Sequence, residues 1–221
     1  NGAYYNNKKF GVYNVSPFGR SEDMGERIQL ELELFTTDYF THRIMKDVCK
    51  QLIQEKHPHM GKISFAHLGN DRIFCTSLGI NLLLLSSTRK PDVSVLLCKR
   101  SSNSSETYGQ IKPAVSVIEG VSLPDYEAFR NTVDLCHAAT RGIEEELGVT
   151  EDLLALDTLR FYQLFVNERN LEIGLTSSIE LNSEVTMEQI LHLQGKDGIL
   201  EIAEKRVLPL PKLHTELIND Y

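Results

Sequence analysis

The chain has 221 residues, of which 41% are hydrophobic and 24% charged, with a formal net charge of -8. That length and composition suit one large globular domain, or a medium one with an extension, and a core that needs no staples. The acidic balance argues against broad adhesion to nucleic acid or anionic membrane, and apolar runs such as residues 80–85 are far too short to span a bilayer.

Residues 1–27 are polar and turn-rich and are expected to form an arm or loop region. The strict alternation from Ile28 to Leu34 predicts a strand over 28–35 with one wet and one buried face. Thr36, Thr37 and Asp38 offer capping oxygens, and Tyr39, Phe40, Ile44, Met45, Val48, Cys49 and Leu52 recur at helical steps. They predict an amphipathic helix over 38–56, ended by His57-Pro58-His59 and Gly61. This strand and helix are expected to make residues 1–77 an added extension or subdomain or a homodimer surface, which regulators and enzymes both use.

A second region, 78–221, opens with two apolar, β-prone runs, Ile80 to Leu85 and Val93 to Lys99, which read as a buried hairpin. A flexible loop at Ser101 to Ser105 and a short strand at Ala114 to Ile118, ending at Glu119-Gly120, come next. Pro124 and Asp125 then open a predicted long helix that Gly148 stops. Strands at Leu159 to Val166 and Leu171 to Glu180, a helix at Met187 to Leu193, and a helix or turn at Ile199 to Lys205 complete the order. Strands alternating with helices in this way give an α/β (α+β) layer fold, a mixed sheet sandwiched between helices. Cys49, Cys75, Cys98 and Cys136 form no CxxC pair and sit in apolar or helical runs. They read as reduced, mostly buried thiols of a reducing, cytoplasmic compartment.

On a helical wheel, residues 126–147 place Phe129, Val133, Cys136, Ile143 and Leu147 on one side and Asp134, Ala138, Arg141 and Glu145 on the other. Arg141 and Glu145 form an i, i+4 pair. Glu144, Glu145 and Glu146 crowd the last turn, where the helix dipole disfavours anions. Carboxylates gathered in an unfavourable field suit a hard divalent cation, and a solvated charged face is the simpler alternative.

The segment Arg141, Ile143, Glu145, Glu146, Gly148 and Val149, with Ala138-Ala139 before it, resembles the C-terminal half of the Nudix box, G-x5-E-x7-R-E-U-x-E-E-x-G-U with U apolar. The strand and glycine before the helix and the strand pair after it fit the same family, over roughly residues 78–211. The resemblance implies Mg²⁺ or Mn²⁺ held by Glu145 and Glu146 and a catalytic part for those two and Arg141. It also implies a small-molecule substrate, a nucleoside diphosphate linked to another moiety, hydrolysed by metal-assisted attack of water.

The chain departs from the box at three places. Gly142 stands where a glutamate follows the Arg, Val133 stands at the earlier glutamate, and Gly120 lies seven residues too far upstream. Asp134, one position from the missing glutamate, is a substitute metal ligand on this reading. Lys99, Arg100 and Gly120 are the substrate-binding candidates, Glu172, Glu180 and Glu201 are candidate bases, and His137 sits beside the helix face. Two functions stay open: a metal-dependent hydrolase, or a catalytically impaired Nudix-like module that binds a nucleotide or a protein partner. A plain α/β interaction domain with an accidental match is the third.

Overall fold

A computed structural model describes residues 6–18, 29–58, 72–87, 92–102, 114–167 and 172–218. His59, Gly61, most of the loop beyond Ser102 and the turn at 168–170 lie outside the described residues. The chain divides into two compact units. The first comprises Asn1–Gly79, Gly120–Ala128 and Leu164–Gly174, and the second Ile80–Glu119, Phe129–Gln163 and Leu175–Tyr221.

In the first unit β1 (Lys8–Phe18) pairs antiparallel with β2 (Gln29–Asp38), from Lys8↔Asp38 to Phe18↔Gln29, with a register shift between Val12 and Asn14. Residues 8–18 of the polar start are therefore a strand, where an arm or loop was expected. β1 is held from two sides: the Val12 amide donates to the Cys75 carbonyl at 2.9 Å and the Phe10 amide to that of Val121 at 3.1 Å. At Gly11 a Cβ would lie 2.6 Å from the Cys75 carbonyl oxygen, so this close approach needs a glycine.

Asp38 starts α1 (Tyr39–Gln54) by accepting from the Thr41 amide at 2.9 Å. The buried side of α1 carries Cys49, packed with Phe74, Met45, Leu52, Ile53 and Val166. His42 is buried and its Nδ1 meets Thr76 Oγ1 at 3.2 Å. Burial pushes its pKa down to about 3, so the ring is neutral.

The second unit is built on a six-stranded mixed sheet of order β10-β4-β3-β9-β8, with β5 paired to β3. Its strands are β3 (Leu78–Leu85), β4 (Ser94–Arg100), β5 (Val117–Gly120), β8 (Leu154–Asn167), β9 (Glu172–Leu181) and β10 (Ile202–Pro209). β3, β5, β8 and β9 give residues to both units. The expected hairpin is present as β3 and β4, in register at Leu84↔Leu96 and Leu85↔Val95. Ile80, Leu82, Leu84, Val95, Leu96 and Leu97 are all buried, as two-sided burial of near-continuous apolar runs requires.

β10 was not expected. It lies at one edge of the sheet, antiparallel to β4. The segment expected to be a helix or turn over 199–205 is helical only across Gly198–Glu201. β8 forms the other edge. There Arg160 Nη1 donates to the carbonyls of Asp157 (2.7 Å) and Leu159 (2.8 Å), and the Thr158 hydroxyl to that of Ala155 (2.6 Å).

The expected long helix over 124–147 is the largest correction. A 3-10 turn occupies Leu123–Asp125, where buried Asp125 accepts from the Ser122 amide at 2.8 Å. Two-residue strands β6 (Tyr126–Glu127) and β7 (Thr132–Val133) follow. Asn131 takes a left-handed backbone with φ of 52°, which no helix tolerates. The helix proper, α2, is Leu135–Leu147. Phe129 is 81% exposed and Cys136 is exposed, so the apolar side of the wheel begins only with the buried Ala139, Ile143 and Leu147. The other three cysteines are buried. Short helices α3 (Met187–Leu191), α4 (Gly198–Glu201) and α5 (Leu213–Ile218) complete the chain. Among the described residues, no helix is long and apolar enough to cross a membrane.

Candidate functional site

α2 begins at Asp134, whose Oδ1 accepts from the amides of Cys136 (2.8 Å) and His137 (3.0 Å). Asp134 is thus the N-cap: its carbonyl accepts the first helical bond, from the Ala138 amide at 3.0 Å, while its carboxylate closes the first turn, and the helical part of the expected line from Asp134 through Arg141 to Glu145 starts only at Ala138. The helix ends at Gly148, left-handed with φ of 76°, whose amide closes onto the Glu144 carbonyl at 2.9 Å. Beyond it, the Gly195 amide reaches the Glu146 carbonyl (3.3 Å) and that of Asp197 the Glu145 carbonyl (2.8 Å). The loop 194–198 thereby satisfies two of the carbonyls that a helix C-terminus leaves open. A Cβ at Gly195 would sit 2.2 Å from Glu145 O, and one at Gly198 1.9 Å from Glu146 O, so the loop can lie this close only with glycine at both places.

Glutamates crowd this end of α2, and three cations meet them. Arg100, at the end of β4 and 3% exposed at its side chain, grips Glu146 with two nitrogens: Nη1 to Oε2 at 2.7 Å and Nη2 to Oε1 at 3.1 Å. The same guanidinium donates to Glu201 Oε2 (3.0 Å) and to the Ile118 carbonyl (3.1 Å). Glu146 also accepts from the Ile118 amide at 3.3 Å. On the neighbouring face Arg141 Nη1 bridges Glu119 (3.0 Å) and Glu145 (3.2 Å). Lys196 Nζ reaches the other Glu145 oxygen at 3.0 Å. Fork-shaped pairing of arginine with buried carboxylate is the strong form of this interaction, and removing one partner would strand a buried charge.

Four carboxyl groups therefore face three cations, one more acid than base. Burial pushes the carboxyl of Glu119 up to about 7 and that of Glu146 up to about 8, against the opposing pull of Arg141 and Arg100.

Gly142 has a local reason to lack a side chain. A Cβ there would fall 2.6 Å from Glu119 Cβ and 2.7 Å from its Cγ. The methylenes of Glu119 fill the space beside the helix, and its carboxylate is carried to Arg141. The position after the arginine is thus closed to any larger residue while Glu119 stays in place.

Outward from this network lies an open pocket of about 510 Å³, lined in part by His137, Thr140, Arg141, Glu145, Glu151 and Lys196. The Thr140 hydroxyl donates to Glu151 at 3.0 Å. Arg141 and Glu145 face this space, whereas Glu146 is buried against Arg100. The two consecutive glutamates thus point to different surroundings, as the roughly 100° step of a helix requires.

The remaining sequence candidates scatter. Lys99 sits on β4 next to Arg100, opposite Glu204 in the register with β10. Gly120 belongs to the first unit, beside Lys9. Glu172 takes a hydrogen bond from Ser77 at 3.4 Å, and the Glu180 amide donates to Thr158 Oγ1 at 3.0 Å. Sequence reasoning missed Glu119 and Lys196 and read Arg100 as a phosphate contact. No local spacing links these residues to α2.

The residues present do not fit a divalent cation as they are arranged. Each oxygen of Glu145 and Glu146 is engaged by a cationic nitrogen. Among the described residues, no group of three or more His, Cys, Asp and Glu side chains is placed to hold a metal ion.

No family model and no curated protein matches the chain. Among solved structures, it is similar to a MutT/nudix family protein from Enterococcus faecalis, at 15% identity and a TM-score of 0.36. That match covers 71% of this chain and spans only 55% of the other. It is similar also to an ADP compounds hydrolase, at 13% identity and a TM-score of 0.38, covering 96% of this chain and 84% of that one.

Proposed function

We propose that the second unit is a Nudix-like module that binds a nucleotide derivative in the pocket beside α2 and is catalytically impaired. The observation that carries this reading is Gly142. The residue after Arg141 has no side chain, and Glu119 occupies the place one would take. The group that the chemistry would need there is missing, and the neighbouring strand keeps it out. Arg141 and Lys196 supply donors for an anionic group at the pocket, and His137 and Thr140 line it.

A second reading, a hydrolase of a nucleoside diphosphate linked to another moiety, is favoured by one feature: Glu145 and Arg141 both line open space rather than core. The test incubates the protein with Mg²⁺ or Mn²⁺ and a panel of nucleoside diphosphate derivatives, following product release and binding separately. Binding without turnover is the expected result. Turnover that falls sharply in Glu145→Gln would establish the hydrolase instead.

A further inference from the structure

We infer that Arg100 stands where a divalent cation would otherwise be held, so that this acidic site is closed by a built-in guanidinium and takes no metal. The inference rests on the Nudix-like reading of α2 and concerns what its carboxylates hold. Arg100 meets four oxygen contacts: both oxygens of Glu146, one of Glu201 and the Ile118 carbonyl, between 2.7 and 3.1 Å. These oxygens come from α2, α4 and β5, separate elements of the chain, and they converge on one positive group. That is the donor set a hard cation prefers, carboxylate and carbonyl oxygen together.

Arg100 is itself buried at the end of β4, so its charge cannot swing out to solvent to make room. The geometry also separates it from Arg141, which bridges Glu119 and Glu145 and lines the open pocket together with Glu145. A metal entering at Glu146 would have to displace a bidentate ion pair and leave the buried guanidinium with only its single contact to Glu201 as counter-charge, which is strongly unfavourable.

The experiment is a titration of the intact protein with MnCl2, read by the paramagnetic resonance of free Mn²⁺ and by the shift in Tm. The parent is expected to leave Mn²⁺ free and to keep its Tm. Arg100→Leu vacates the guanidinium and leaves Glu146 and Glu201 facing each other. It is expected to bind Mn²⁺ and, at about a hundredfold excess over Kd, to gain several degrees in Tm. Adding Glu146→Gln to that variant removes the gain. Arg100→Lys keeps a cation and remains indifferent to Mn²⁺.

Saturable Mn²⁺ binding by the parent that Glu146→Gln abolishes would overturn the inference. So would an Arg100→Leu protein that folds and stays indifferent. Should Arg100→Leu fail to fold, the parent and Arg100→Lys titrations decide. Binding of Mn²⁺ by the parent without turnover would sink this inference and leave the proposed function standing. Turnover in the presence of EDTA would do the reverse.

Discussion

Replacing Gly142 by alanine separates two effects of opposite sign. In an exposed helix interior the change stabilises by roughly 1 kcal/mol, because glycine carries the larger conformational entropy. In α2 the new Cβ would meet Glu119 Cβ at 2.6 Å and Cγ at 2.7 Å, with Val117 Cγ1 at 3.2 Å. The first two are closer than real carbon contacts, and the Cβ of a strand residue cannot move without its backbone. Overpacking costs about 1–3 kcal/mol, and two contacts this short on atoms tied to a strand belong in the upper half of that range, about 2–3 kcal/mol, so the net expectation is a loss of about 1–2 kcal/mol. Glu119→Gly removes both colliding atoms. In that background Gly142→Ala should stabilise by about 1 kcal/mol, the ordinary helix value. Urea unfolding of the four proteins of this cycle measures both numbers. A Gly142→Ala protein as stable as the parent, or more so, would refute the account of why this helix carries a glycine.

Other perturbations test the rest of the site. Since burial raises the carboxyls of Glu119 to about 7 and Glu146 to about 8, the folded chain binds more protons than the unfolded one above the ordinary value of 4.5. Stability should therefore fall as pH rises from about 4.5 to 8 through these groups, and Glu119→Gln should flatten the lower part of that decline in urea unfolding. Asp134→Ala should cost about 1 kcal/mol by loss of the cap, whereas Asp134→Asn should cost much less; equal losses in thermal unfolding would show that the cap is not its contribution. Gly195→Ala should cost about 3 kcal/mol or more, because the atoms it would meet are helix backbone at 2.2 and 2.5 Å, and a Tm within a degree or so of the parent would contradict this. Arg160→Ala should uncover the carbonyls of Asp157 and Leu159 on the edge strand and promote association, visible as a concentration-dependent mass in light scattering.

Much of the fold was legible because its signals are local. The β3 and β4 runs announce buried strands through uninterrupted apolar residues, and Asp38 and Gly148 mark helix limits by their own chemistry. The start of α2 was not legible from periodicity, since Phe129 and Val133 happen to fall on the apolar side of a helix that does not extend to them. Asn131 and Asp134 held the better signal: a residue that tolerates a left-handed backbone followed by a strong N-cap. β10 escaped because Glu204, Lys205 and Arg206 dilute its pattern, as an edge strand permits. The arginine and three glutamates on α2 could be read directly, but their partners could not. Arg100 meets Glu146 across 46 residues and Glu201 across 101, and nothing in the spacing of those residues reports the meeting.

The loop 194–198 has a dynamic consequence. Its amides at Gly195 and Asp197 end on α2 carbonyls, and its Lys196 reaches Glu145 at the pocket. The final turn of the helix and this loop should therefore open together as one cooperative segment. In hydrogen exchange, the amides of Gly148, Gly195 and Asp197 should share a single opening free energy, and an occupant of the pocket that touches only Lys196 should slow all three alike.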